Sequence, residues 1–195
     1  MKKFLTLILV LTVFTGIAKA QVQVSIGPGV GFNYATHSFS DDDKTYDNFG
    51  PLLTSQLDMQ FSRLFAFLVW VDFYSDMSAK DDTGELNINY FHIAPTLKFC
   101  LPGSRFYLFG GPGIGIKTKG TAKGFYEGFS LEGDIEDMDT RFDVRFGAGY
   151  EFYLTNKLTL SPFVAYNAGL NDVVADSGWK IDALQFGVVL RYNLY

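Results

Sequence analysis

The chain has 195 residues, 48% hydrophobic and 17% aromatic, with 16 Lys and Arg against 21 Asp and Glu. A surplus of acid excludes the usual nucleic-acid binders, which need a basic surface. Cys100 is the sole cysteine, so no intrachain disulfide can form and the small disulfide-stapled secreted class is also excluded.

The first twenty residues have the three parts of an export signal. Lys2 and Lys3 give a positive start, Phe4 to Ile17 is mostly apolar, and Ala18-Lys19-Ala20 is a small-x-small cleavage site. Cleavage between Ala20 and Gln21 is predicted, leaving 21–195 as one domain. The apolar run is too short to span a bilayer as a helix. Gln21 is not a cysteine, so lipoprotein processing is not indicated. Losing Lys2, Lys3 and Lys19 from the 16 basic residues leaves 13 against 21 acidic ones, a net charge of −8.

From Val22 onward the pattern is period two, the signature of strands. The first segment sets Val22, Val24, Ile26, Pro28, Val30, Phe32 and Tyr34 against Gln23, Ser25, Gly27, Gly29, Gly31 and Asn33. Further strands are predicted at 50–61, 64–74, 87–99 and 106–117. The sixth alternates Phe142, Val144, Phe146, Ala148, Tyr150 and Phe152 against Arg141, Asp143, Arg145, Gly147, Gly149 and Glu151. A seventh runs over 158–170, and the last sets Leu184, Phe186, Val188, Leu190, Tyr192 and Leu194 against Gln185, Gly187, Val189, Arg191, Asn193 and Tyr195. Each reaches or slightly exceeds the ~9–11 residues that carry a tilted strand across a membrane.

The connections alternate in length. Those at 62–63, 101–105 and 155–157 are tight, whereas 35–49, 75–86, 120–139 and 171–180 read as long polar loops. Short turns on one side and long loops on the other describe an antiparallel, eight-stranded, up-and-down transmembrane β-barrel with its turns in the periplasm. A soluble barrel such as a lipocalin is the inverse object, with its large apolar residues inside. Here the opposite phase carries glycines and charges, which cannot line a greasy cavity, so the large apolar phase must face lipid.

Three passages carry a family resemblance. They are Tyr90 to Phe99 (YFHIAPTLKF), Phe106 to Gly115 (FYLFGGPGIG), and Phe146 to Phe152 (FGAGYEF) followed by Tyr166 to Asn171 (YNAGLN). In their order and spacing they resemble the outer-membrane β-barrel domain family common in Bacteroidetes, the PorT-like group. The resemblance implies an outer-membrane barrel of eight strands and brings no shared catalytic site. The C-terminal segment Gln185-x-Gly187-x-x-Leu190-x-Tyr192 also has the polar-x-Gly-x-x-apolar-x-apolar form read by the barrel-assembly machinery, and the chain ends on Tyr195.

The inward phase should carry a charge network of Asp58, Arg141, Asp143, Arg145, Glu151 and Arg191, with Asp72 and Lys98 beside it. Trp70, Tyr107, Phe109 and Tyr153 share that phase and should fill the space left by the glycines. Eight strands enclose room for side chains only, so a paired plug is expected in preference to a charged pore. His37-Ser38 at the top of the first strand raises the thought of a lipid-modifying hydrolase. Adjacent strand residues point to opposite faces, however, so these two cannot meet as base and nucleophile. His92 falls on the inward phase. Asp41, Asp42 and Asp43, with Asp134, Glu136, Asp137 and Asp139, make two loops acidic, but their spacing matches no calcium loop. Cys100 reads as structural, and the run Gly110-Gly111-x-Gly113-x-Gly115 as strand interior without the helix a phosphate loop needs.

The expectation is a non-enzymatic outer-membrane protein with no cofactor and no metal site. It would act structurally or bind a partner through its surface loops or periplasmic turns. The alternative is a small pore or an accessory to transport or secretion. Expected partners are outer-membrane lipid and lipopolysaccharide, the barrel-assembly machinery during biogenesis, and an unidentified protein.

Overall fold

The structure is a computed structural model that describes residues 22–40, 42–80, 84–126, 129–135 and 138–194. The predicted cleavage site, Ala20 and Gln21, lies outside the described residues. In chain order the strands are β1 (Gln23–Phe39), β2 (Asp42–Gln60), β3 (Phe65–Asp76), β4 (Ala79–Lys80), β5 (Gly84–Cys100), β6 (Phe106–Tyr126), β7 (Phe129–Asp134), β8 (Arg141–Tyr150), β9 (Phe152–Tyr153), β10 (Leu158–Gly169) and β11 (Lys180–Asn193).

The eight long strands pair antiparallel as β1-β2-β3-β5-β6-β8-β10-β11, and β11 returns to β1. The ring is closed, so within it no backbone N–H or C=O row is left facing lipid. The short strands β4, β7 and β9 lie off the ring on β5, β6 and β10.

Alternation decides which side of the wall each residue faces. On β1, β8 and β11, Ile26, Val30, Phe32, Phe142, Phe146, Leu184, Phe186, Val188, Leu190 and Tyr192 are 38–56% exposed. Their neighbours Asn33, Arg145, Gln185 and Arg191 are 0–2% exposed. Large apolar groups therefore cover the outside while polar groups are sealed within, the inverse of a soluble barrel.

The long loops are shorter than their sequence suggests. Residues 35–39 and 42–49 continue β1 and β2 as paired strands, with Ala35 opposite Asn48 and His37 opposite Tyr46. Likewise β6 runs on to Tyr126 and turns back as β7, and 75–86 holds β4. Backbone pairing continues beyond the lipid because it needs only a partner strand. The apolar alternation fades there because neither face meets hydrocarbon. A bulge between β2 and β3 also lets Phe73 and Tyr74 both face outward and returns Ser75 to the interior.

Candidate functional site: the filled lumen

Read from the turn end along β5, the inward residues are Lys98, Thr96, Ala94, His92, Tyr90 and Ile88, all 0–1% exposed. Charged, apolar, charged and apolar character follow one another, and the rest of the lumen repeats this layering.

The first layer sits at the periplasmic end. Lys98 Nζ donates to Asp58 Oδ2 at 2.7 Å and also to Glu151 Oε1, while Arg191 donates to the same two carboxylates. The hydroxyl of Tyr153 donates to Glu151 Oε2 at 2.7 Å. Two cations thus meet two anions in a group whose side chains are 1–11% exposed. Buried charges survive only with such mutual pairing.

The second layer is aromatic. The Trp70 ring lies 4.7 Å from Phe163 and 5.2 Å from Phe109, with Leu52, Leu68, Tyr107, Ala165 and Val189 around them. The Tyr107 hydroxyl is 2.8 Å from Ser161 Oγ. Cations close this layer from both sides, with Lys98 4.6 Å over Tyr107 and Arg145 4.4 Å over Trp70.

The third layer is charged again. Arg145 Nη1 donates to Asp72 Oδ2 at 2.9 Å, and Arg141 Nη1 to Asp143 Oδ2 at 2.7 Å. His92 bridges the pairs, with Nε2 2.9 Å from Asp143 and Nδ1 3.3 Å from Asp72. Thr54 Oγ1 donates to Asp72 Oδ1 at 2.6 Å, and Arg141 Nη2 to the Ile181 carbonyl at 3.0 Å. Gly113 makes the cluster possible, since a Cβ there would fall on Asp143 Oδ1 and His92 Nε2. Gly149 does the same for the ring of Tyr107 below.

The fourth layer caps the extracellular end. Met77, Val173 and Trp179, outside the long strands, pack on Ala35, Ile88, Tyr90, Ile181 and Ala183. At this height the outward neighbours on β1 and β11 are Thr36, Ser38 and Lys180, so the cap stands above the lipid belt. His37 Nε2 lies 2.9 Å from the Met77 carbonyl, and Trp179 Nε1 donates to His37 Nδ1 at 3.0 Å. The imidazole is therefore neutral, with its proton on Nε2. Burial holds its pKa down to about 4; the Met77 carbonyl opposes that shift and Arg141 adds to it.

All six residues expected in the network face the lumen, but in two separate layers. Asp58, Glu151 and Arg191 form one, and Arg141, Asp143 and Arg145 the other. Lys98, Asp72 and His92, which the alternation also puts on the inward phase, are buried in the lumen and complete the pairs. Tyr153 corrects the sequence reading. It is 54% exposed at the periplasmic end and reaches Glu151 from outside the lumen, because the strand breaks at Glu151 between β8 and β9. Trp179 had no periodic signal, lying in an irregular loop.

Of the remaining candidates, His37 is buried and Ser38 exposed, on opposite faces. Asp134 and Asp139 are exposed, while Asp41, Glu136 and Asp137 lie outside the described residues. In the segment proposed as an assembly signal, Gln185 is buried in the lumen and Leu190 and Tyr192 face outward. A Cβ on Gly187 would meet the carbonyl of Val30 on β1.

A closed antiparallel ring, apolar outside and filled with paired charge inside, defines an outer-membrane β-barrel protein. The chain belongs to the outer membrane protein beta-barrel domain family, whose model matches residues 6–192. Among solved structures it is similar in fold to the outer membrane protein OprG from Pseudomonas aeruginosa (TM-score 0.53, 10% identity, 90% of this chain and 97% of that one). It is likewise similar to Neisserial surface protein A (TM-score 0.50, 12% identity, 87% and 97%). Ail, the attachment invasion locus protein of Yersinia pestis, aligns with a TM-score of 0.48 at 15% identity over 86% and 97%. No curated protein matches the sequence.

Proposed function

We propose that this protein is a closed, non-conducting and non-enzymatic barrel that acts as a structural or partner-binding element of the outer membrane, with its finer kinship in the PorT-like group. One observation carries the reading: charged pairs, aromatic rings and an apolar cap occupy the lumen in sequence from end to end. Among the described residues the buried lumen carboxylates and cations are paired with one another, which supports a plug over an open water path. The extracellular side favours display. The β1–β2 hairpin and the β6–β7 hairpin continue as paired sheet above the lipid belt, which gives a partner a rigid surface. Under this reading lipopolysaccharide surrounds the wall, a protein partner docks above it, and the assembly machinery reads the segment containing Gln185, Gly187, Leu190 and Tyr192 after the signal is cleaved at Ala20.

Planar-bilayer recording of the purified barrel tests closure, and no steady conductance at neutral pH is expected. Stable open channels would establish the pore or transport-accessory reading instead. Crosslinking from residues of the β1–β2 hairpin in native membranes should then capture a discrete protein. Capture of none would confine the role to the membrane itself.

A further inference from the structure

The periplasmic mouth holds a cavity of about 290 Å³ that opens beside the first charged layer. Gln60, Cys100 and Tyr107 line its inner side, and the turns at 61–64 and 101–105 form its rim. Both turns are braced. Cys100 N donates to the Leu64 carbonyl at 2.7 Å and ties them together. Phe65 N donates to Ser62 Oγ at 2.8 Å, and Phe106 N to Ser104 Oγ at 2.9 Å. Gly103 takes the left-handed conformation (φ 71°) that closes the second turn.

Those contacts occupy backbone donors of the turns, and the side chains that bring positive charge to the lining are Arg63 and Arg105. Among the described residues neither has an acidic partner. Arg105 lies 5.4 Å from the centroid of the Tyr153 ring, which holds its plane. Glu151 also lines the cavity, but Lys98, Arg191 and Tyr153 already bind its carboxylate. With Asp58 and Glu151 offset by Lys98 and Arg191, the two rim arginines leave the mouth net positive in a chain whose formal charge is −5.

We propose that this cavity is a binding site for a phosphate ester, gripped by Arg63 and Arg105. The site adds a ligand to the barrel and stands whether or not a protein partner exists. Planar guanidiniums suit the oxygens of a phosphate better than a point charge does. Its place at the short-turn rim is the level of the periplasmic-leaflet headgroups. Leu64, Phe65, Phe99, Leu101 and Phe106 are exposed beside it, an apolar surface for acyl chains. A phospholipid headgroup and a soluble phosphate ester share the recognising chemistry, and the experiment separates them.

Full-length barrel in zwitterionic detergent is incubated with phosphatidylglycerol or glycerol 3-phosphate and read by native mass spectrometry. One phosphate ester should be retained by the wild type, and Arg63→Gln/Arg105→Gln should retain it at least tenfold less while melting at the same temperature. Retained lipid that glycerol 3-phosphate does not displace marks a headgroup site. Displacement by glycerol 3-phosphate marks a site for the ester alone. Lys157→Gln, which removes a basic residue outside the cavity, should bind like the wild type. Equal retention by the double variant, an equal loss in Lys157→Gln, or no retention by the wild type would overturn the proposal.

Discussion

The indole Nε1 of Trp179 donates to Nδ1 of His37, 142 residues earlier in the chain, at 3.0 Å. That bond fixes loop 170–179 onto β1, while the opposite imidazole nitrogen holds Met77. The extracellular cap therefore depends on one ring staying neutral, because a protonated Nδ1 would set two N–H donors against each other.

The cap should loosen in acid. His37 titrates near 4 in the folded barrel against 6.5 ordinarily, so between those values the unfolded chain binds more protons than the folded one. Stability from this site is complete above pH 6.5 and is lost as pH falls toward 4, amounting to about 3 kcal/mol across the window. In a Trp70→Phe background, fluorescence reports Trp179 alone, and it should redden between pH 6.5 and 4. Adding His37→Gln, which keeps a donor and an acceptor without the titration, should flatten that response. An unchanged response in the glutamine variant would place the sensor elsewhere.

Gly113 should be intolerant of any side chain. Alanine there must displace the His92–Asp143 contact and should cost about 2 kcal/mol or more of barrel stability, as breaking a buried polar cluster does. Because one contact is at stake, Gly113→Ala and His92→Ala should be less than additive in urea unfolding. Full additivity would mean that the glycine serves the strand and not the cluster.

The wall of the barrel was legible in the sequence, and much of its filling was not. Period two sorts Val188 from Val189 and Phe146 from Arg145 without any structure, because a strand in a membrane has only two faces. It says nothing about height along the axis, and so could not divide Asp58, Glu151 and Arg191 from Arg141, Asp143 and Arg145. Height depends on strand tilt and register, and the register between β2 and β3 shifts at the bulge by Phe73 and Tyr74. The pairing of 35–39 with 42–49 was hidden for a related reason. Polar residues above the lipid read as loop although their backbones stay paired.

Val188 and Val189 provide a test of the wall with adjacent residues. Val188 is 39% exposed toward lipid, and Val189 is fully buried in the aromatic layer. Val188→Ala should cost little, because lipid fills the space, whereas Val189→Ala leaves a cavity worth roughly 1 kcal/mol. Val188→Arg should cost about 2–4 kcal/mol near the bilayer midplane. Urea unfolding in lipid vesicles gives all three values, and a costlier Val188→Ala than Val189→Ala would reverse the assignment of inside and outside.

Glu151 tests whether the lumen is a plug held by its own charges. Its carboxylate takes Lys98, Arg191 and Tyr153, so removing it leaves two cations with only Asp58 between them. Stripping one member from a buried ion group costs about 3–5 kcal/mol, because the survivors remain out of water. Glu151→Ala should therefore lower the temperature at which the folded form, running faster on an unheated gel, converts to the unfolded one. Conductance should stay absent, since Trp70, Phe109 and Phe163 close the lumen above the lesion. Exchanging the whole group for apolar residues of similar volume, as in Asp58→Leu/Lys98→Met/Glu151→Leu/Arg191→Met, should restore much of the lost stability, because then no charge is left buried alone. A barrel unaffected by Glu151→Ala would mean that water, and not the neighbouring cations, balances this carboxylate, and that the aromatic layer alone closes the lumen.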